Sequence, residues 1–396
     1  MVNSVYSQIN VTTVQIVQTQ LVPRQSGQQA GDASASTTPD KATHVAISDR
    51  ARALIARTKA DQIAASQLNA FLSALRSLNA PSSLSGTDGD DLIRALHYAT
   101  IDAGAGDDDI AAYSYATIDA GDGNDSVSTY GYATVNGGAG DDTISTYDHG
   151  TVQGGAGNDT ISTYGWSMID AGDGNDVVRG YDHLEVDAGA GDDVISGYDH
   201  VTARAGAGND TIDTYGWSTI DAGAGNDVIR GYNHITVDAG AGDDTISGSH
   251  HITVTAGDGN DTIDSEGWST LDGGSGNDAI RTGDYSTVDG GAGNDSIVAG
   301  GYSTVTGGAG NDTIRIDGSL ATVSYGKGDG TDTIRSSGDF SLAIAGYSRD
   351  DVTVRQDGNR AYVTFKGADE SLTLDLQSGA AARLSFADDS ALDIRA

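Results

Sequence analysis

One aspartate recurs every 17 residues along most of this chain: Asp91, Asp108, Asp125, Asp142, Asp159, Asp176, Asp193, Asp210, Asp227, Asp244, Asp261, Asp278, Asp295 and Asp312. Two positions before each stands a glycine, beginning at Gly89. The others are Gly106, Gly123, Gly140, Gly157, Gly174, Gly191, Gly208, Gly225, Gly242, Gly259, Gly276, Gly293 and Gly310. The residue between the two is always Asp or Asn. A carboxylate is a hard oxygen ligand, and Ca²⁺ gathers about six to eight such oxygens from carboxylates and backbone carbonyls. Glycine permits positive φ and lets carbonyls crowd onto one point. If the turns stack, these aspartates and the glycines from Gly106 onward form a metal-binding column on one edge. Each pair of neighbouring turns then encloses one ion, about thirteen for fourteen turns.

The elements that must position this column are legible in the same period. Two residues after each Asp comes Ile or Val, from Ile93, Ile110 and Val127 onward. Eight residues further runs a second, almost wholly aliphatic column: Ile101, Ile118, Val135, Val152, Ile169, Val186, Ala203, Ile220, Val237, Val254, Leu271, Val288 and Val305. Two short β-prone segments per 17 residues, each bounded by a turn, describe one coil of a flattened parallel β-solenoid. At about 4.8 Å per coil the array would extend roughly 60 Å. Neighbouring carboxylates about 5 Å apart repel by roughly 0.8 kcal/mol even in water. Over the whole column that is on the order of 10 kcal/mol, comparable to the stability of a domain. Two aliphatic side chains per coil contribute about 3–6 kcal/mol, less than ordering 17 backbone positions costs. The repeats are therefore expected to be largely unfolded without Ca²⁺ and to fold as it binds.

The 396 residues include 56 Gly, three Pro and no Cys, with a formal net charge of -36. Disulfides, thiol catalysis and Cys-ligated metals are excluded. Such an acidic chain repels nucleic acid and anionic lipid, and no apolar run is long enough to span a membrane. The acidity is localised: residues 82–314 hold 40 Asp and Glu against five Arg and no Lys. The opening "MVNSVYSQINVTTVQIVQTQ" has no basic region before an apolar core, so a cleaved secretory signal is not expected.

"GGAGNDTIS" (154–162), "AGAGNDVIR" (222–230) and "GGAGNDSIV" (290–298) resemble the RTX, or hemolysin-type, nonapeptide G-G-x-G-x-D-x-U-x. The resemblance covers about residues 85–335, and "YGKGDGTDTI" (325–334) looks like a degenerate last repeat. The segments "VTVRQDGNRAYVTFKGADESLTLDL" and "LSFADDSALDI" are similar to the β-rich tail that follows such arrays. The resemblance implies Ca²⁺-binding β-rolls, export by the type I secretion machinery through an uncleaved C-terminal signal, and folding in extracellular calcium. One departure matters. Every second nonapeptide is replaced by eight residues such as "TYGWSTID" or "GYDHVTAR", so the metal column carries over to one edge only.

The other edge carries rings. Three residues after the Ile column come Tyr113, Tyr130, Tyr147, Tyr164, Tyr181, Tyr198, Tyr215 and Tyr232. Two further on runs a mixed column: Tyr98, Tyr115, Tyr132, His149, Trp166, His183, His200, Trp217, His234, His251, Trp268, Tyr285 and Tyr302. Both have the strand parity opposite to the inward Ile and Val, so they should face outward. Stacked rings stabilising a metal-free turn is one reading. The other is a binding face for sugars or ordered water, with Tyr164, Trp166, Tyr181, His183, Tyr198, His200, Tyr215, Trp217, Tyr232, His234, His251 and Trp268 as candidate ligand residues. His183 with His200, or His234 with His251, is also a candidate transition-metal pair. No H-E-x-x-H, G-x-S-x-G or phosphate-binding loop occurs. The "YDH" trios at 147–149, 181–183 and 198–200 repeat on separate coils, as architecture does.

The sequence thus predicts an all-β parallel solenoid of 17-residue coils over 82–335, preceded by a flexible segment (1–45) and an amphipathic helix (46–80). A β-rich C-terminal cap and secretion signal follows over 336–396. The expected role is non-enzymatic: a secreted calcium-binding protein of a cell surface or matrix. The alternative is a glycan-binding protein or polysaccharide-acting enzyme, its partner an extracellular polysaccharide or cell surface.

Overall fold

The computed structural model describes residues 66–67, 82–377 and 379–396. The chain divides into two units, 1–80 and 81–396. The first lies almost wholly outside the described residues. So do the flexible segment expected over 1–45 and the helix expected over 46–80, apart from Ser66 and Gln67, which are helical. No helix among the described residues is long and apolar enough to cross a membrane.

Through its repeats the second unit is a parallel stack in which strand residues pair with those 17 further on. Ile161 lies beside Val178, Ile195 beside Ile212, and Ile212 beside Ile229. The register holds because a slip of one residue would turn every Ile outward. In the central coils the two half-strands run together, as in Val177–Ala190, Val194–Ala207, Thr211–Ala224 and Val228–Ala241. Three inward columns fill the coil: the Ile column (Ile144, Ile161, Ile195), the second column (Val152, Ile169, Ile220), and small residues such as Ala171, Ala188 and Ala222, all nearly inaccessible.

A further inward pair closes the metal-free turn, and its two volumes compensate. Gly180, Gly197, Gly231 and Gly248 face Leu184, Val201, Ile235 and Ile252. A Cβ on Gly231 would lie 2.1 Å from Ile235 Cδ1. Where the first member is Thr146, the second is Gly150, whose added Cβ would lie 2.7 Å from the Thr146 hydroxyl. In these coils large faces small, because a fixed coil thickness admits at most one bulky group at that place.

At the C-terminal end the period lengthens to 20, with Ile314 beside Ile334. Parallel pairing continues past residue 335, from Thr331–Ser336 to Ser371–Leu376 and from Phe340–Ile344 to Ala381–Phe386. The hairpin Val352–Asp357 with Arg360–Phe365 and the last strand Ala391–Arg395 then join antiparallel. Tyr325, Tyr347 and Phe365 stack inside this end at centroid distances of 5.2 and 4.4 Å. The antiparallel strands cover an edge that would otherwise offer itself to another chain.

Candidate metal edge and aromatic edge

The repeated aspartates, from Asp108 to Asp312, occupy one edge and are buried. Their two carboxylate oxygens differ. Each Oδ1 accepts a hydrogen bond from the backbone N–H of the Asp one coil earlier, as in Asp176 N–H to Asp193 (2.7 Å) and Asp193 N–H to Asp210 (2.7 Å). Each Oδ2 is buried with no partner in thirteen of them: Asp108, Asp125, Asp142, Asp159, Asp176, Asp193, Asp210, Asp227, Asp244, Asp261, Asp278, Asp295 and Asp312. A buried anionic oxygen without a donor or cation is strongly unfavourable. Asp91 is the exception, since its Oδ2 accepts from the Thr87 N–H (2.7 Å) and hydroxyl (2.9 Å).

Glycine makes the convergence of oxygens possible. Gly157 sits at φ 133°, and an added Cβ would lie 2.1 Å from the Gly140 carbonyl oxygen one coil earlier. The same positive φ and close approach recur from Gly106 to Gly310. Asp142 Oδ2 and the Gly154 carbonyl oxygen of the next coil lie 2.3 and 2.5 Å from the point an added Cβ on Gly137 would occupy, one cradle of oxygens. Hard oxygens, with an unpartnered carboxylate oxygen in each coil from Asp108 to Asp312, are the donor set calcium takes. The residues fit the ion.

Electrostatics agree. Burial is the main cause that pushes Asp159, Asp193 and Asp244 up to about 7 and Asp142, Asp210, Asp278 and Asp312 to about 6. Repulsion from adjacent aspartates adds to it, while the backbone N–H on Oδ1 works in the opposite direction. A cation between the coils would offset both effects by favouring the charged carboxylate. Sequence reasoning missed Asp332, which extends the column by accepting from the Asp312 N–H at 2.9 Å. The signal was present in "GDGTDTI", but three inserted residues move it out of the 17-residue step. A second, exposed ladder also went unread: the residue before each Asp accepts from the next coil, as Asn158 does from the Asn175 N–H at 2.9 Å.

On the opposite side both ring columns face outward, as parity requires. Tyr147 and Tyr164 stack at 5.0 Å and 7°, and Tyr181, Tyr198, Tyr215 and Tyr232 form a second stacked run at 5.1–5.4 Å. Trp166 stacks on His183 at 3.8 Å, Trp217 on His234 at 4.3 Å, and His234 on His251 at 5.0 Å. Trp268 stands 6.1 Å from His251 and 4.4 Å from Tyr285. The mixed column supplies the bend: His183, His200, Trp217, His234, His251 and Trp268 have φ between 44° and 57°. This left-handed conformation is costly for a residue with a Cβ, and stacking offsets part of that cost. His183 and His200 stack at 4.6 Å and 1°, with Asp182 Oδ1 2.7 Å from His183 Nδ1. Their nearest ligand atoms lie within 4.8 Å, but parallel rings direct their nitrogen lone pairs side by side rather than onto one point.

Fold and edge together define a class: a parallel β-solenoid with an acidic, oxygen-lined edge of the kind that takes divalent cations. Residues 134–301 carry RTX calcium-binding nonapeptide repeats, matched in nine segments running from 134–149 to 286–301. Solved structures with likeness include a hyperactive, Ca²⁺-dependent, β-helical antifreeze protein from an Antarctic bacterium. It shares 20% identity over 69% of this chain and 86% of that one, with a TM-score of 0.40. The extracellular lipase LipA from Serratia marcescens shares 16% identity over 58% of this chain and 37% of that one, at a TM-score of 0.23. Curated proteins give no match.

Proposed function

We propose that this is an exported, non-enzymatic protein whose solenoid folds on calcium, with Asp108 to Asp312 and the carbonyls of the adjoining glycines holding about one ion per pair of neighbouring coils. The observation that carries the reading is the row of thirteen buried, partnerless Oδ2 atoms. Bound calcium would supply positive charge between coils, and the chain's own residues do the rest. Oδ1 fixes each carboxylate to its neighbour's backbone, glycine lets the carbonyls close in, and the Ile columns seal the interior. Because ordering of the coils is tied to the ion, the chain would stay unfolded where calcium is scarce and fold where it is plentiful. That behaviour, together with the RTX repeats, supports passage through a type I exporter and a structural role at a cell surface or in a matrix. Circular dichroism of the full chain in calcium and in chelator tests the core of this. Full β-structure in chelator at neutral pH would refute it.

The alternative of a polysaccharide-binding or polysaccharide-acting edge gains less. Within the stacked runs, such as Tyr113 to Tyr164 and Tyr181 to Tyr232, inner ring faces are covered by the next ring, leaving edges and hydroxyls to solvent. The Asp–His contacts of the "YDH" trios, such as His200 Nδ1 to Asp199 Oδ2 at 3.1 Å, recur on separate coils in the open.

A further inference from the structure

The tyrosine column ends at Tyr232. Its next positions are Ser249, Glu266, Gly283 and Gly300. Tyr198 and Tyr215 have a ring on both faces, at 5.1–5.4 Å. Tyr232 stacks on Tyr215 by one face, no ring stands against the face toward Ser249, and the residue is 58% exposed. A depression of about 540 Å³ opens at this step, bordered by Tyr232, Arg230, Ser247, Ser249, Asp264 and Glu266. The backbone of Gly231 and Gly248 also lines it.

We propose that this step is a saccharide subsite that takes one uncharged or amine-bearing pyranose ring on the bare face of Tyr232. This narrows the glycan reading of the aromatic edge to one place and rests on that reading, not on the calcium column.

The ladder itself sets the geometry. Its rings repeat at about one coil, and a six-membered ring laid on Tyr232 at that step would lie over Ser249, where the next tyrosine is missing. A pyranose has an apolar C–H face that suits an aromatic platform and a rim of hydroxyls that needs paired donors and acceptors. The rim of the depression supplies both. Arg230 is oriented by Asp213 at 3.7 Å, and Glu266 stands 3.5 Å from His250 Nε2. Asp264 and the hydroxyls of Ser247 and Ser249 complete it. Charge selects within the class. One guanidinium faces the carboxylates of Asp213, Asp264 and Glu266, so uronic, sulfated and phosphorylated rings are repelled. Flat nucleotide bases could stack equally well, but their phosphates meet the same repulsion.

The test uses the full chain in millimolar calcium chloride, with folding followed independently by circular dichroism. Saturation-transfer NMR and calorimetry are run against cello-, malto- and manno-hexaose, chitohexaose and hexagalacturonate. Binding of one or more of the first four, with hexagalacturonate at least tenfold weaker, is expected. Tyr232→Ala and Ser249→Tyr should each weaken that binding at least tenfold. The second exchanges the Ser249 hydroxyl for a ring that continues the ladder across the platform, while Arg230, Ser247, Asp264 and Glu266 stay in place. Tyr130→Ala, in a ring covered on both faces at 5.3 Å, should leave binding unchanged. The inference is overturned if none of the four binds to folded protein, if hexagalacturonate binds best, or if folded Ser249→Tyr binds as the parent does. Since folding is read separately, any of these outcomes leaves the calcium reading standing.

Discussion

Replacing Asp193 by Asn should change stability in opposite directions with and without calcium. The amide keeps an oxygen to accept from the Asp176 N–H, now at 2.7 Å, and exchanges the orphaned Oδ2 for an uncharged NH₂. Without metal, burial raises the Asp193 pKa to about 7. A folded-state pKa above the unfolded value near 4 means that folding favours the protonated form. The penalty is absent below about pH 4, grows as pH rises, and is complete above about pH 7. With solvent screening allowed for, the rise is worth on the order of a few kcal/mol at pH 8. Asp193→Asn removes that penalty, so in chelator less osmolyte should be needed to fold the variant than the parent. With calcium the same change deletes a charged ligand and leaves a cation under-compensated, costing about 3–5 kcal/mol. Osmolyte-induced folding in chelator and thermal melts in calcium, both followed by circular dichroism, measure the two signs. A loss of stability in both conditions would refute the electrostatic argument and make Asp193 an ordinary hydrogen-bonding residue.

The column as a whole should respond to acid in the same two-sided way. Between pH 8 and about pH 5.5 the calcium midpoint for folding should rise as the groups at about 6 and 7 protonate, while chelated protein gains β-structure; a calcium midpoint independent of pH would contradict this. Gly157→Ala places a Cβ 2.1 Å from the Gly140 carbonyl at φ 133°, and should cost at least about 2 kcal/mol in calcium, read as a lowered melting temperature. Gly231→Thr should destabilise by about 1–3 kcal/mol through its clash with Ile235. Adding Ile235→Ser recreates the Thr214–Ser218 arrangement of the preceding coil and should recover most of the loss in a double-mutant cycle.

Much of this was legible because the period is rigid. Invariant Gly and Asp at a 17-residue step, with Ile two residues on, fix coil length, register and the composition of one edge. Outward ring columns followed from parity alone. What stayed hidden depends on third-dimension detail. Gly231 and Ile235 read as unrelated residues until the turn brings them into contact, although their alternation with Thr214 and Ser218 is a volume pattern that sequence could have revealed. Asp332 was lost to an insertion. The division of labour between Oδ1 and Oδ2 is a matter of side-chain direction, which spacing does not encode. Nor does spacing tell which ring faces stacking covers, or that Tyr232, the last tyrosine of its column, has no ring against its far face.

The most direct measurement is the number of calcium ions held per folded chain, by equilibrium dialysis and elemental analysis at saturating calcium. One ion for each buried, partnerless Oδ2 predicts about thirteen, lost together with the β-signal on chelation. A folded chain that retains two or fewer would mean that the aspartate row is neutralised by something else, and the account would be wrong at its centre.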